Sequence, residues 1–395
     1  MKRFLLLLAT VICCVAVSAQ QDFTIKGYVP GIEDGAVISL FQYEGNVGRS
    51  VLTDTVRDHT FSFRYGLEGL QELSIAGQGK EHFGQDYSAS LKLWGMPGET
   101  ITITGNDPYV RLWKVESRIP EQIESDRFIR ASLPEFRRKD EMSILEAQIR
   151  AQIRSKGKLN AEEMARIKVL QDSLKKEETA LNIAIYRNDL EILRNTPVSD
   201  IWLNRLKSIC SMVQHYEAYF EFRAPALALF GRLSEEQKET PTARQIMIYL
   251  TPPEAVKTGD RMADAELKEL GGGTRKFSDF LGKYILLDFW SSGCGPCYKS
   301  MPELRELQEK YGERLAIIGI NLDTSEKSWA QGTEFFGPTW TNLNAPTGND
   351  VTARYAVSGI PHQVMISPEG IILDSWAGYY EGRVEKQLLE YLAVE

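Results

Sequence analysis

The stretch Trp290–Lys299, W-S-S-G-C-G-P-C-Y-K, constrains this chain more than any other. It follows the apolar run Tyr284 to Phe289, which reads as a fully buried strand. A helical pattern comes after it, with Met301, Leu304, Leu307 and Tyr311 on one face. A strand that hands two cysteines to the start of a helix sets up specific chemistry. The free backbone N–H groups and partial positive charge of the helix N-terminus both favour Cys294 as a thiolate. Two intervening residues let Cys297 reach back across one turn and close a disulfide with it. The pattern implies dithiol–disulfide exchange: Cys294 attacks a substrate sulfur to give a mixed disulfide, and Cys297 resolves it.

The start of the chain bears on where such chemistry operates. Met1-Lys2-Arg3, the apolar Phe4 to Val17 and the small residues Val17-Ser18-Ala19 read as a secretory signal, residues 1–19, cleaved after Ala19. The apolar part is shorter than the roughly 20 residues of a membrane span. A lipoprotein signal places a small residue before its cysteine, whereas Ile12 precedes Cys13 and Cys13 precedes Cys14. The expectation is an exported, periplasmic protein, soluble after cleavage. Of five cysteines two lie in that segment, which leaves Cys210 beside the pair Cys294 and Cys297. One CxxC is not a disulfide-stapled scaffold, and Cys210, in the helical pattern Ile201 to Tyr219, reads as a small buried side chain. The net charge of −8 argues against nucleic acid or anionic membrane surfaces as partners.

Residues 20–107 read as an all-β sandwich domain. Candidate strands are 23–29, 36–41, 49–56, 60–65, 72–76, 88–94 and 100–104, with clear alternation at Phe61, Phe63, Tyr65, Ile101 and Ile103. His59 and His82 are isolated and do not read as metal ligands. Residues 108–250 are expected to be a helical region. Apolar stripes at Met142, Leu145, Ile149 and Ile153, and at Met164, Ile167, Leu170, Leu174, Leu181 and Ile185, describe an αα-hairpin. It breaks at 155–160, and Asn160 with Glu163 would cap the second helix. A hairpin satisfied by its own two helices is the simpler account of such narrow stripes; a homodimer through this region is the alternative. Thr251-Pro252-Pro253 reads as the hinge into residues 251–395, where strands and helices alternate: strands at 314–321, 363–366 and 371–375, helices at 325–336, 350–355 and 381–392.

On the CxxC, Asp288 six residues before Cys294, Pro302 five after Cys297, the loop Ser358-Gly359-Ile360-Pro361 and the lead-in Phe277 to Lys283, the last third of the chain resembles TlpA/ResA-type thiol–disulfide oxidoreductases. The stretch Trp94–Ile101 is similar to the β-domain often fused ahead of them. The resemblance implies a C-terminal α/β thioredoxin fold, hence a multidomain chain: β-sandwich, helical region, thioredoxin-like domain. It implies Cys294, Cys297, Asp288 and Pro361 as catalytic, with Cys294–Cys297 as the redox disulfide. Asp288 would take the proton of Cys297, because an apolar strand raises a carboxyl pKa toward the working pH. A cis-Pro361 facing the disulfide would block metal capture and present the backbone of Ile360 to an extended substrate. Trp290, Gly295, Pro296 and Ile360 would line the substrate site. His362 beside it is expected to be an exposed loop residue.

The chain departs from the family in two places. Gly293 stands where many thioredoxins carry a tryptophan, and Ser300 where ResA-like cytochrome-maturation reductases carry a glutamate. Exchange chemistry survives both changes; a role in cytochrome c maturation does not follow. Direction can be argued from magnitudes. Moving a thiol from about 8.5 to about 7 takes roughly 2 kcal/mol, which a helix terminus and one N–H can supply. A strongly oxidising site needs roughly 7 kcal/mol and further donors, and Gly295 and Pro296 bring no side-chain donor. The expected partners are protein disulfides as substrates and a membrane thiol relay as electron donor, with no cofactor and no metal. Two alternatives are a binding protein that uses the sandwich and helices around an inert scaffold, and a peroxidase, for which no Thr-x-x-Cys loop is present.

Overall fold

The computed structural model describes residues 22–44, 47–78, 88–157, 159–346 and 348–392. The segment 1–19, with Cys13 and Cys14, and also His82 lie outside the described residues. The described residues form two compact units, one of residues up to Leu40 with Leu52–Gln122, the other of Phe41–Val51 with the residues from Ile123 onward.

The β-rich part of the chain comprises strands β1 (Phe23–Tyr28), β2 (Val37–Glu44), β3 (Val47–Thr55), β4 (Thr60–Tyr65), β5 (Gln71–Gln78), β6 (Leu91–Gly95), β7 (Thr100–Thr104) and β8 (Lys114–Glu116), all in the first unit except Phe41–Glu44 of β2 and Val47–Val51 of β3. They make two four-stranded sheets, β4-β1-β7-β8 and β3-β2-β5-β6. The alternation is the cause. Phe61 and Phe63 of β4, and Ile101 and Ile103 of β7, turn inward while their neighbours face water. Gly95 of β6 lies under the ring of Phe23 of β1, where a Cβ would come within 2.9 Å of the ring, so the two sheets close on each other there. Strand β8 was not expected from the sequence. It is three residues long and turns only Val115 inward, too little to show a period. His59 sits in the turn before β4 at positive φ, its N–H donating to Asp34 Oδ1 at 2.9 Å.

The second unit opens with helices α1 (Pro120–Arg130), α2 (Leu133–Lys156), α3 (Ala161–Asn195), α4 (Asp200–His215), α5 (Arg223–Phe230), α6 (Glu235–Lys238) and α7 (Pro241–Leu250). Asn160 and Glu163 form the expected capping box at the start of α3. Helices α2 and α3 bury Met142, Ile149 and Leu174 between them, with Leu145, Ile153, Ile167 and Leu181 packed alongside. The stripe expected on α3 is not continuous, because Met164 and Leu170 are 54% and 38% exposed near its start. Arg138 spans the hairpin to Glu177 at 2.7 Å. The main helical core gathers Leu193, Trp202, Leu206, Ile209, Ile246 and Leu250. Cys210 lies in it fully buried, and burial pushes its thiol up to about 12. It is a packing residue.

The same unit contains β9 (Glu266–Glu269), β10 (Thr274–Lys276), β11 (Tyr284–Trp290), α8 (Gly295–Tyr311), β12 (Leu315–Asn321), α9 (Glu326–Phe336), β13 (Thr341–Asn344), α10 (Val351–Arg354), β14 (His362–Ile366), β15 (Ile372–Ala377) and α11 (Arg383–Leu392). These strands form one sheet in the order β10-β9-β13-β12-β11-β14-β15. Central β11 runs parallel to β12 and antiparallel to β14, and both its faces are covered, so it reads as an uninterrupted apolar run. Strands β9, β10 and β13 were not anticipated: T-N-L-N in β13 buries only Leu343. Helix α7 is tied to the loop after β13, where Gly348 N–H donates to Gln245 Oε1 at 3.0 Å.

Trp202 is the hinge pin of the helical core. It is fully buried, donates from Nε1 to the Leu193 carbonyl at 2.9 Å, and lies under the Arg232 guanidinium, 5.6 Å from its ring centroid. Replacing it with alanine should cost about 3–5 kcal/mol. Chemical denaturation followed by far-UV circular dichroism measures that loss; a cost below about 1 kcal/mol would show that this core is not what holds the helices.

Candidate active site

Strand β11 runs through the centre of the sheet and releases the chain at Trp290, whose carbonyl accepts from Leu322 N–H at 2.9 Å. The next residues turn at once, Cys294 N–H donating to the Ser291 carbonyl at 3.1 Å. Cys294 is thereby the N-cap of α8, and its Sγ accepts from Cys297 N–H at 3.1 Å. A cap normally supplied by an oxygen is here supplied by a sulfur, which is the group that gains most from it when ionised. Cys294 and Cys297 are joined by a disulfide with their Cα atoms 5.3 Å apart. With each sulfur bonded to the other, neither is a free metal ligand in this state.

The two sulfurs are not equivalent. Cys294 keeps 8% of its surface and Cys297 none. Cys294 is thus nearly closed off, because it leans on the apolar cluster that includes Trp290, Met301 and Met365. Of the two cysteines it is nevertheless the one that solvent reaches. Gly293, Gly295 and Pro296 around it are exposed. Ile360, joined to Pro361 by a cis peptide bond, packs against the same cluster, and the Pro361 carbonyl is anchored by Gly378 N–H at 2.7 Å. Trp290 departs from expectation. It is 1% exposed, donates from Nε1 to Asn342 Oδ1 at 2.9 Å, and meets Phe336 edge-on at 4.8 Å between ring centroids. Lying beneath the loop, it supports the site and cannot touch a substrate.

Asp288 is fully buried, and that burial raises its carboxyl from 3.8 to about 7, offset in part by a hydrogen bond from Gln363. Gln363 Nε2 donates to its Oδ1 at 2.6 Å, and Oδ2 meets no protein donor among the described residues. Such a carboxyl can change protonation near neutral pH inside an apolar wall. Gln363 was missed in the sequence. The signal was a run of two polar residues, His362-Gln363, opening a strand that is otherwise apolar, in register with Asp288. His362 is also not the loop residue expected. It begins β14, is 6% exposed, and its Nε2 meets Ser375 Oγ at 2.9 Å. Burial lowers it to about 4, so the imidazole is neutral near pH 7 and adds no positive charge.

A second group missed in the sequence fixes the loop that carries Cys294. Asp323, just past β12, accepts from Ser292 N–H at 2.9 Å, Ser292 Oγ at 3.1 Å and Asn321 Nδ2 at 2.8 Å. Asn344 Nδ2 donates to the Asp323 carbonyl at 3.0 Å. Tyr298 adds a contact from α8, its hydroxyl donating to the Ser292 carbonyl at 3.3 Å. These groups sit at the carboxyl ends of β12 and β13, where open α/β sheets gather their functional residues.

A seven-stranded sheet delivering a two-cysteine turn to a helix N-terminus, with a cis-proline loop packed against the sulfurs, defines a thioredoxin-fold dithiol protein. Comparison with known proteins agrees. Residues 258–375 match the AhpC/TSA family. The chain is 31% identical over 138 residues to the thioredoxin-like protein YneN of Bacillus subtilis, an overlap of 34% of this chain and 80% of that protein. It is 28% identical over 148 residues to the thiol–disulfide oxidoreductase ResA of Bacillus thuringiensis, covering 36% of this chain and 82% of ResA. The solved thioredoxin domain of a Bacteroides vulgatus thiol–disulfide oxidoreductase aligns at 28% identity and a TM-score of 0.31, over 34% of this chain and 99% of that one. The chain belongs to the thioredoxin-like proteins, with its AhpC/TSA match confined to residues 258–375, and its C-terminal domain is a thiol–disulfide oxidoreductase domain.

The raised Asp288 carboxyl has a thermodynamic consequence. Its pKa is higher folded than unfolded, so the stability it lends is fully present below about pH 3.8 and is lost as pH rises through about 7. Asp288→Asn should therefore be more stable than the native protein at pH 8, by on the order of 2–4 kcal/mol, and about equal to it at pH 3.5. Denaturant midpoints of oxidised protein at both pH values test this. A native protein whose stability climbs between pH 4 and pH 8 relative to the variant would contradict it.

Proposed function

We propose that this chain is an extracytoplasmic protein-disulfide reductase. The observation that carries the direction is the poverty of donors at Cys294: the sulfur caps a helix and accepts one N–H, from Cys297. Gly295 and Pro296 bring no side chain able to donate, and His362 beside the site is neutral. A helix terminus and one hydrogen bond stabilise a thiolate by roughly 2 kcal/mol, well short of the roughly 7 kcal/mol behind a strong oxidant. The export reading rests on the N-terminal segment, charged, then apolar, then small-residued.

In the reducing direction the dithiol form meets a protein disulfide. The Cys294 thiolate attacks one substrate sulfur, expels the other as a thiolate, and leaves a mixed disulfide. Cys297 gives up its proton and attacks Cys294, releasing the second substrate sulfur and restoring the disulfide. Asp288 is the group that takes the Cys297 proton, because its carboxyl titrates near neutral pH and keeps one oxygen without a protein donor among the described residues. Ile360 and Pro361 present backbone to the substrate, and Gly295 and Pro296 form the facing rim. Outside the cytoplasm the disulfide must be re-reduced, which calls for a membrane thiol relay as donor.

Cys297→Ser should accumulate mixed disulfides with protein substrates that thiol reagents dissolve, while Cys294→Ser should form none. Equilibration with glutathione or thioredoxin couples should give a reduction potential below about −200 mV, on the thioredoxin side of the known range. A potential near about −120 mV, with no reduction of insulin, would overturn the direction.

A further inference from the structure

A cleft of about 480 Å³ lies beside the redox site, within the size range of ligand pockets. One wall is the thioredoxin-fold loop Val357–Ile360, ending one residue before the cis-proline. The opposite wall is helical, made by Gln214 and His215 at the end of α4 and by Gln245 and Tyr249 of α7. Ile360 belongs to both places: it lines this cleft and packs against the cluster that holds both cysteines.

We infer that the helical region supplies half of the substrate-binding site, holding in this cleft an extended, uncharged stretch of the disulfide-bearing protein that flanks its reacting cysteine. The inference rests on the reductase reading and names what that site selects. Three observations carry it. First, the N–H and C=O groups of Ser358, Gly359 and Ile360 make no hydrogen bond among the described residues, so the loop offers an unpaired edge to an extended chain. Second, among the described residues the lining holds amides, hydroxyls, an imidazole and apolar groups but no carboxylate, ammonium or guanidinium. A charged side chain entering it would lose water without gaining a partner. Third, the helical wall is preformed. Gln245 is held to the Gly348 N–H at 3.0 Å, and the Tyr249 ring meets His215 edge-on at 6.4 Å between ring centroids. Helices α4 and α7 share one buried core through Ile209, Val213, Ala243 and Ile246. A chain laid against Ile360 to reach Cys294 therefore runs into a rigid, neutral trough.

The test uses the reduced full chain and a set of unstructured peptides whose single cysteine is disulfide-linked to thionitrobenzoate. Attack at the peptide sulfur releases coloured thionitrobenzoate, and 2,2′-dithiodipyridine serves as a small disulfide with no peptide. The native protein should react about tenfold faster with a peptide of neutral flanks than with one carrying Lys or Glu at the same positions. Two variants probe the wall: Gln214→Ala with His215→Ala strips it, and Ala353→Trp fills the cleft. Each should slow the neutral peptide about tenfold while leaving the dithiodipyridine rate within about twofold. Unchanged peptide rates in both variants, or no preference for neutral flanks, would overturn the inference and leave the redox chemistry standing. Failure of the native protein to react even with dithiodipyridine would instead remove the reductase reading beneath it.

Discussion

The hydrogen bond from Cys297 N–H to Cys294 Sγ, 3.1 Å long, is the contact on which the rest of this molecule turns. It makes a cysteine the cap of helix α8, so the stabilisation a helix start offers an anion is delivered to the atom that does the chemistry. Everything nearby serves to hold that cap in place. The strand β11 ends where the turn must begin, Trp290 is clamped below it by Asn342 and Phe336, and Asp323 holds the Ser292 backbone and hydroxyl. None of these groups need touch a substrate. Their work is to stop the turn from relaxing into a conformation in which the sulfur no longer meets the helix.

Around the cap, buried polar groups are arranged with opposite consequences for charge. Asp288 is forced by burial to titrate near neutral pH, and His362 is forced by burial to stay neutral. The carboxyl can therefore change protonation near neutral pH, while the imidazole cannot lend the sulfur a positive charge. Together they describe a site able to move protons and modest in its stabilisation of a thiolate. The same apolar surroundings that perturb both groups close over Cys297 completely and leave a narrow window on Cys294. Exposure as well as chain order therefore sets the two cysteines apart.

Much of this was legible in the residues themselves. The buried strand, the cysteine pair and the amphipathic face of α8 follow from periodicity and spacing, as does the capping box of Asn160 and Glu163. What escaped has a common physical cause. Strands β9, β10 and β13 bury one side chain each or none, so they carry no period and exist because neighbouring strands pair with them. Gln363 and Asp323 lie 75 and 31 residues from the groups they bond, Asp288 and Ser292, and nothing local marks a polar residue as the partner of a distant one. Trp290 reads from the sequence as a residue of the groove and is in fact under it, because β11 is covered on both faces up to its last residue. Met164 and Leu170 fit a helical stripe by spacing, yet the facing helix does not cover them.

The claim beneath all of this is that helix α8 and one N–H make Cys294 the ionised, reachable sulfur of the pair. The most direct measurement is the alkylation rate of each cysteine in the reduced protein across pH, read by peptide mass spectrometry. The account predicts that Cys294 is modified first and that its rate levels off at a lower pH than the value of about 8.5 for an ordinary thiol. Cys297 should stay protected until the fold opens. Equal reactivity of the two cysteines, or a Cys294 profile like that of a free thiol, would contradict it.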